Sequence, residues 1–299
     1  MINVYEQVDR NKTRSLIIMV LFVVFITAVV WIFSQAFGYG LGTTGLALVI
    51  AGLISFGSYW WSDQIILTIS GARPADKRRD FNFYTVVENL SMAAQIPMPK
   101  LYVIEDSAPN AFATGRDPDH AVICATTGLL AKLDRTELEG VVAHELSHVR
   151  NYDIRLMSIV TILIGMITLL ADWFLRGIRF RDSDDRENGQ LQVIFMVLGL
   201  IMAILSPIIG QLIQLAISRR REFLADASGA LLTRYPEGLA RALEKIAADP
   251  APLEAANKAT AHLYIVSPFK GKEAAGWLAG LFNTHPPVEE RIKLLREME

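Results

Sequence analysis

A chain of 299 residues that is 52% hydrophobic, with a mean hydropathy of +0.32, carries more apolar surface than an ordinary soluble domain of its size. Its formal net charge is only -2 and it holds no Lys/Arg-rich block or basic aromatic sheet motif, which excludes nucleic acid as a partner. The single cysteine, Cys124, excludes an intramolecular disulfide framework and any multi-cysteine metal site, so a metal would be held by histidine and carboxylate.

The chain opens on a lipid-embedded stretch. No charged residue stands between Ser15 and Ser62, whereas one charge at mid-bilayer costs about 2.5 to 3.5 kcal/mol. The stretch divides at Ser34 to Gly40 into Leu16 to Phe33 and Leu41 to Trp61, each close to the roughly 20 residues of a spanning helix. A cleavable leader is the competing reading, because Ser34 and Ala36 have the spacing of a small-residue cleavage site. The apolar run exceeds the about 7 to 15 residues of a leader, however, and a second span follows at once. Residues 1–61 are therefore expected to form a retained membrane hairpin. Arg10, Lys12 and Arg14 precede it and Arg73, Lys77, Arg78 and Arg79 follow it, while the intervening loop has no basic residue. Both flanks are then cytoplasmic.

Residues 62–153 form a first soluble piece, in which Pro99 to Ile104 and His120 to Thr126 are β-branched, apolar runs flanking Asn110 to Arg116, a pattern that predicts a small sheet. Helical periodicity is read over Phe81 to Ala94 and again from Arg135, where Asp134 and Glu137 suit a capping box. Residues 154–217 hold two further apolar runs, Leu156 to Ala171 and Leu191 to Ile217, expected as a second hydrophobic hairpin that either spans or re-enters. The Arg-rich loop between them runs against the positive-inside trend if both span. Residues 218–299 form a second soluble piece, and neither piece is long enough for a comfortable core of its own, so the two are expected to fold together. The expected fold is mainly α with a small β-sheet, integral to the membrane.

The helix from Arg135 carries His144-Glu145-Leu146-Ser147-His148. Histidines four apart share one helical face and can bind one zinc ion with Glu145 beside them. Five histidines placed at random in this length give roughly 0.1 such pairs per chain, and requiring an acid at the second position lowers that about tenfold. A catalytic zinc needs a third protein ligand and an open position. Glu222 is the best candidate, in Arg219-Arg220-Arg221-Glu222-Phe223-Leu224-Ala225-Asp226. Asp226 lies one turn on and can accept a hydrogen bond from the far nitrogen of a ligand histidine. On spacing alone the same residues also read as an ordinary charged helix start.

The order of N-terminal hairpin, His144-Glu145-Leu146-Ser147-His148 with Asn151 and Asp153 following, second hydrophobic hairpin and Glu222-Phe223-x-Ala225-Asp226 resembles the HtpX-type membrane metalloproteases, a family related to the CAAX prenyl proteases. The resemblance covers nearly the whole chain. It implies a gluzincin-like catalytic domain with one Zn2+ per chain held by His144, His148 and Glu222, and Glu145 as catalytic acid/base. It implies a quality-control protease of the bacterial inner membrane, whose partners are lipid and membrane-protein or unfolded polypeptide substrates. Asn110, Ala111 and Phe112 look like the family's substrate-strand region, and Thr284-His285-Pro286-Pro287 like its His-Pro element; His285 either adds a catalytic hydrogen bond at the oxyanion or is a loop histidine before a helix-starting Pro-Pro. Asp226 and Asn151 are expected behind the ligands, and Asp153 either orients the motif helix or ends it. His120 and His262 read as surface or structural, and Arg291 receives no role.

The three ligands must meet at one ion, so the chain crosses the membrane an even number of times between them. Leu156 follows His148 by about 12 Å of helix and Ile217 precedes Glu222 by five residues, which puts the metal near the membrane surface. Competing readings are a zinc hydrolase of prenylated or lipid-linked substrates and a scaffold with a structural zinc. The sequence shows no fourth ligand to close a structural site.

Overall fold

The computed structural model describes residues 4–36, 41–165, 219–253, 260–266 and 286–298. Two apolar helices, α1 (Val4–Ala36) and α2 (Leu41–Trp60), pack against each other. Among the described residues one long apolar stretch, Asp9–Ala28, meets the length and hydropathy of a membrane span; in α2 the apolar helix covers Leu48–Trp60. The outer faces of both helices are bare: Leu16, Ile17, Val20, Leu21 and Val24 on α1, and Leu46, Val49, Leu53 and Phe56 on α2, are exposed, Leu53 by 65%. A continuous surface of this kind requires an apolar surrounding. Helix 153–165, here α7, begins one residue before the second expected hydrophobic segment and covers its start, and the rest of that segment up to residue 217 lies outside the described residues.

After α3 (Ser62–Ile69), the soluble part begins with β1 (Arg73–Pro74), α4 (Phe81–Ala94), β2 (Lys100–Ile104), β3 (Ala111–Gly115) and β4 (Ala121–Thr126). They form a four-stranded mixed sheet in the order β1-β2-β4-β3, with β2 and β4 parallel and the other pairs antiparallel. β3 is thus an edge strand. Every residue of β3 and β4 is buried, because α-helices and the membrane-proximal segments cover both faces, and the strands accordingly read as unbroken runs without alternation. Gly115 closes β3 at φ +134°, where a Cβ would stand 2.3 Å from the His120 carbonyl oxygen, so no other residue fits that turn.

α5 (Thr127–Lys132) leads into α6 (Arg135–Arg150), the central helix. Asp134 accepts from the Glu137 amide while the Glu137 carboxylate accepts from the Asp134 amide, which fixes where α6 starts. Twelve of its sixteen residues are buried, since α4, β3, α8 (Arg219–Thr233) and α9 (Pro236–Ala248) all pack on it. A polar group buried in such a helix must be partnered, and that requirement organises the site below. α8 approaches α6 closely at Gly229, where a Cβ would lie 3.0 Å from the His144 amide nitrogen. α10 (Val288–Arg296) packs on α8 and α9, completing the main core of Phe83, Val86, Ile123, Leu129, Leu146, Leu239 and Leu243.

The sequence expectation of a mainly helical chain with a small sheet holds. The strands at Lys100–Ile104 and Ala121–Thr126 and the helices at Phe81–Ala94 and Arg135–Arg150 lie within a residue of where they were read.

Candidate metal centre

His144 and His148 project from consecutive turns of α6 with their Nε2 atoms 3.1 Å apart. α8 brings Glu222 to the same point: Oε1 is 3.5 Å from His148 Nε2 and Oε2 is 3.7 Å from His144 Nε2. One donor atom from each residue falls within a 4.8 Å group, and all three residues are buried. Nitrogen and oxygen ligands at about 2.0 to 2.2 Å from one tetrahedral zinc stand about 3.4 Å from each other. The observed separations are of that size.

The far side of each imidazole faces a carboxylate. His144 Nδ1 lies 2.8 Å from Asp226 Oδ1, and His148 Nδ1 lies 3.0 Å from Asp153 Oδ2. A carboxylate only accepts, so each Nδ1 carries the proton and donates, and the two Nε2 atoms are turned toward one another and toward Glu222. Such an arrangement is repulsive unless a proton or a metal ion sits between the donors. Charge is consistent with this: with both imidazoles neutral as ligands and the acids ionised, Glu145, Asp153, Glu222 and Asp226 oppose Arg221 and Arg291 among the described residues of this buried cluster, an excess of two negative charges that a divalent ion would balance.

Arg291, from α10, is fully buried. It grips Asp226 with Nε (2.8 Å) and Nη2 (2.7 Å), and its Nη1 donates to the Ile265 carbonyl oxygen (2.9 Å) while standing 3.8 Å from Glu222 Oε2. Burial opposes ionisation of Asp226, yet Arg291 and His144 hold its carboxyl down to about 2. Burial in turn lowers the His144 pKa. His148 is the opposite case: despite burial, the Asp153, Glu222 and Glu145 carboxylates raise it to about 9. Glu145, also buried, is pushed up to about 7 by loss of solvent, with the Ala113 amide donating to it from the edge strand.

The expected substrate strand is occupied by the chain itself. Ile265 N–H donates to the Ala111 carbonyl oxygen (3.0 Å), and the Asn110 side-chain amide donates to the Val266 carbonyl oxygen (2.9 Å). Phe112 packs edge-on against Tyr264 at 5.2 Å between ring centroids. Asn110, Ala111 and Phe112 are consequently buried. Asn151 takes the C-cap of α6. Asp153 is the residue whose role spacing left open, and it both follows the motif helix and holds His148. His285 lies outside the described residues. His120 is on the surface beside Asp117, and His262 is buried with Nε2 3.0 Å from Thr161 Oγ1, neither near the cluster of donors. Cys124 is a core side chain whose thiol pKa is raised by burial.

A buried pair of histidines and a glutamate on facing helices, with a second glutamate next to the first histidine, defines a metallopeptidase of the His-Glu-x-x-His class. The chain belongs to peptidase family M48, whose profile matches residues 77–299. It is 45% identical over 298 residues to a protease HtpX homolog of Caldanaerobacter subterraneus subsp. tengcongensis, spanning 98% of this chain and 97% of that one. It is 44% identical over 300 residues to a protease HtpX homolog of Dictyoglomus thermophilum, spanning 98% and 94% of the two chains. Among solved structures it is similar to the crystal structure of S. mikatae Ste24p, with a TM-score of 0.43 and 19% identity over 90% of this chain and 67% of that chain. The protein is thus a membrane metalloprotease of the HtpX type.

Proposed function

We propose that the protein is a multi-pass zinc endopeptidase that cuts misfolded or damaged membrane proteins at the cytosolic face, with His144, His148 and Glu222 as the metal ligands and Glu145 as general acid/base. The observation that carries this reading is the convergence of two Nε2 atoms and the Glu222 carboxylate beside Glu145 in one buried, carboxylate-rich site. The donor set suits zinc, which when bound polarises a carbonyl and acidifies water.

The chain's own groups supply the rest. Glu145, raised by burial and oriented by the Ala113 amide, takes the proton of the attacking water and returns it to the leaving amine. Asp226 and Asp153 hold the two ligand rings in the tautomer that leaves Nε2 free, and Arg291 fixes Asp226. A polypeptide substrate lies extended along the outer edge of β3, where the pairing of Ile265 and Val266 with Ala111 and Asn110 marks the available backbone groups. Substrate entering there takes the place of Tyr264–Val266. A synthetic Leu-Tyr-Ile-Val peptide is therefore expected to inhibit cleavage competitively. A scrambled peptide with equal potency would remove this assignment.

The membrane surface is set by a ring of basic and aromatic side chains. Lys12 stands over the Tyr152 ring (4.6 Å), Arg155 over Tyr59 and Tyr152 (5.4 and 5.0 Å), and Arg116 over Trp60 (4.7 Å). Such groups gather at the headgroup level, and Tyr152 adjoins Asp153, so the metal centre lies just on the cytosolic side of it. The reading is tested with one cleavable sequence presented either soluble or as the juxtamembrane loop of a bilayer-inserted protein. The inserted form is expected to be cut faster by protein in nanodiscs; equal rates would contradict a membrane-protein substrate.

A further inference from the structure

The first helix reaches the metal centre. Asn11, only 1% exposed, donates from Nδ2 to the Asn151 carbonyl oxygen (2.9 Å) and to Asp153 Oδ1 (2.7 Å). The other oxygen of that carboxylate, Oδ2, faces His148 Nδ1 at 3.0 Å. Arg221 Nη1 completes the cluster, 3.3 Å from Asp153 Oδ1 and 3.5 Å from Asn11 Oδ1.

Helical periodicity explains why this residue is buried. Asn11, Ser15, Ile18 and Phe22 are buried at intervals of four, three and four, while Lys12, Leu16, Ile17, Val20 and Leu21 are exposed. Ile18 and Phe22 join Leu156, Ile159, Val160, Leu163 and Ile164 of α7 in one cluster, so α1 and α7 lie side by side. An aliphatic side chain would continue this seam without cost, whereas a buried amide is unfavourable unless its polar atoms are bonded. Those bonds end on the carboxylate that orients a ligand ring.

We infer that Asn11 is a positioning residue of the metal centre, acting through Asp153 on His148, so that the helix carrying the chain into lipid is part of the apparatus that holds the metal. The inference rests on the reading of His148 as a ligand. Without Asn11, Asp153 Oδ1 retains Arg221, and the carboxylate is free to rotate toward the guanidinium, loosening its hold on the imidazole N–H. Partners behind a ligand carry about 10 to 100-fold in metal affinity. A residue one bond further back is assigned the lower end.

The test uses the full chain in nanodiscs, measuring zinc affinity by competition with a chromophoric chelator and the visible absorption of the cobalt-substituted protein. Asn11→Leu is expected to weaken zinc binding about tenfold and to shift the cobalt bands. In an Asp153→Asn background the same substitution should cause no further loss, which a packing role for Asn11 would not produce. Zinc affinity of Asn11→Leu within about twofold of wild type, or an equal loss in both backgrounds, would overturn the inference. If Asn11→Leu does not fold, Asn11→Ser, too short to reach Asp153, is read with the same expectations. His148→Ala separates the two levels: retained zinc affinity there overturns the ligand assignment itself, whereas its loss beside an unaffected Asn11→Leu overturns only the role of Asn11.

Discussion

Glu145→Gln is expected to abolish peptide cleavage, by about 10^2 to 10^4-fold, while zinc content stays at the wild-type level. The substitution keeps the shape of a side chain that is 2% exposed and keeps an acceptor for the Ala113 amide, so the packing of α6 is preserved. It removes the one carboxylate of the cluster that neither ligates in this account nor bonds to a histidine. Glutamine can neither take the proton from water nor deliver one to the leaving amine. The measurement is steady-state cleavage of an unfolded membrane-protein substrate, paired with metal analysis of the same sample. Cleavage at the wild-type rate by a zinc-replete Glu145→Gln protein would show that the site does not hydrolyse peptides as described.

Glu222→Gln is expected to lose metal and cleavage together. Glu222 is the only contribution of α8 to the donor set, and neutralising it removes both a ligand and one of the charges that a divalent ion balances. The loss in metal affinity should exceed the about 10 to 100-fold of a partner behind a ligand. A second effect follows from Arg291, whose Nη1 stands 3.8 Å from Glu222 and 2.9 Å from the Ile265 oxygen: with Glu222 neutral, this guanidinium faces fewer carboxylates. Equilibrium dialysis against buffered zinc, beside the same cleavage assay, separates this variant from Glu145→Gln. Retained zinc would remove Glu222 from the ligand set.

These two residues illustrate what local sequence exposes. His144, Glu145 and His148 occupy one helix at a spacing dictated by the metal, and Asp226 follows Glu222 by one turn, so both halves of the centre leave a short-range pattern. The start of α6 was equally legible, because Asp134 and Glu137 cap it reciprocally within four residues. Asn11 with Asp153 and Arg291 with Asp226 are separated by 142 and 65 residues, and nothing in their own neighbourhoods marks them. Asp153 shows the boundary between the two cases: its position just after the motif helix suggested either an ending or an orienting role, and only the packed structure shows it 3.0 Å from His148. β2 and β4 were found as apolar runs rather than by alternation, and every residue of β4 is indeed buried. That Tyr264–Val266 occupies the edge of β3 has no sequence signature at all, since a backbone pairing between distant segments constrains the side chains only loosely.

The proposed position of the site beside the lipid surface has the same origin. α7 begins at residue 153, directly after the ligand helix, and α1 runs along it from Asn11 to Phe22. Catalytic core and membrane anchor therefore share one buried seam rather than being joined by a linker. On the proposed reading, a substrate segment emerging from the bilayer would meet the edge of β3 without leaving the membrane surface.

The central claim is that two imidazoles and one carboxylate from α6 and α8 hold a single zinc ion. X-ray absorption at the zinc edge of the purified, zinc-loaded protein measures this directly. The account predicts one zinc per chain with two imidazole ligands and only oxygen in the remaining positions, at about 2.0 to 2.2 Å. Sulfur in the first shell, fewer than two imidazoles, or the same spectrum from the Glu222→Gln protein would contradict it.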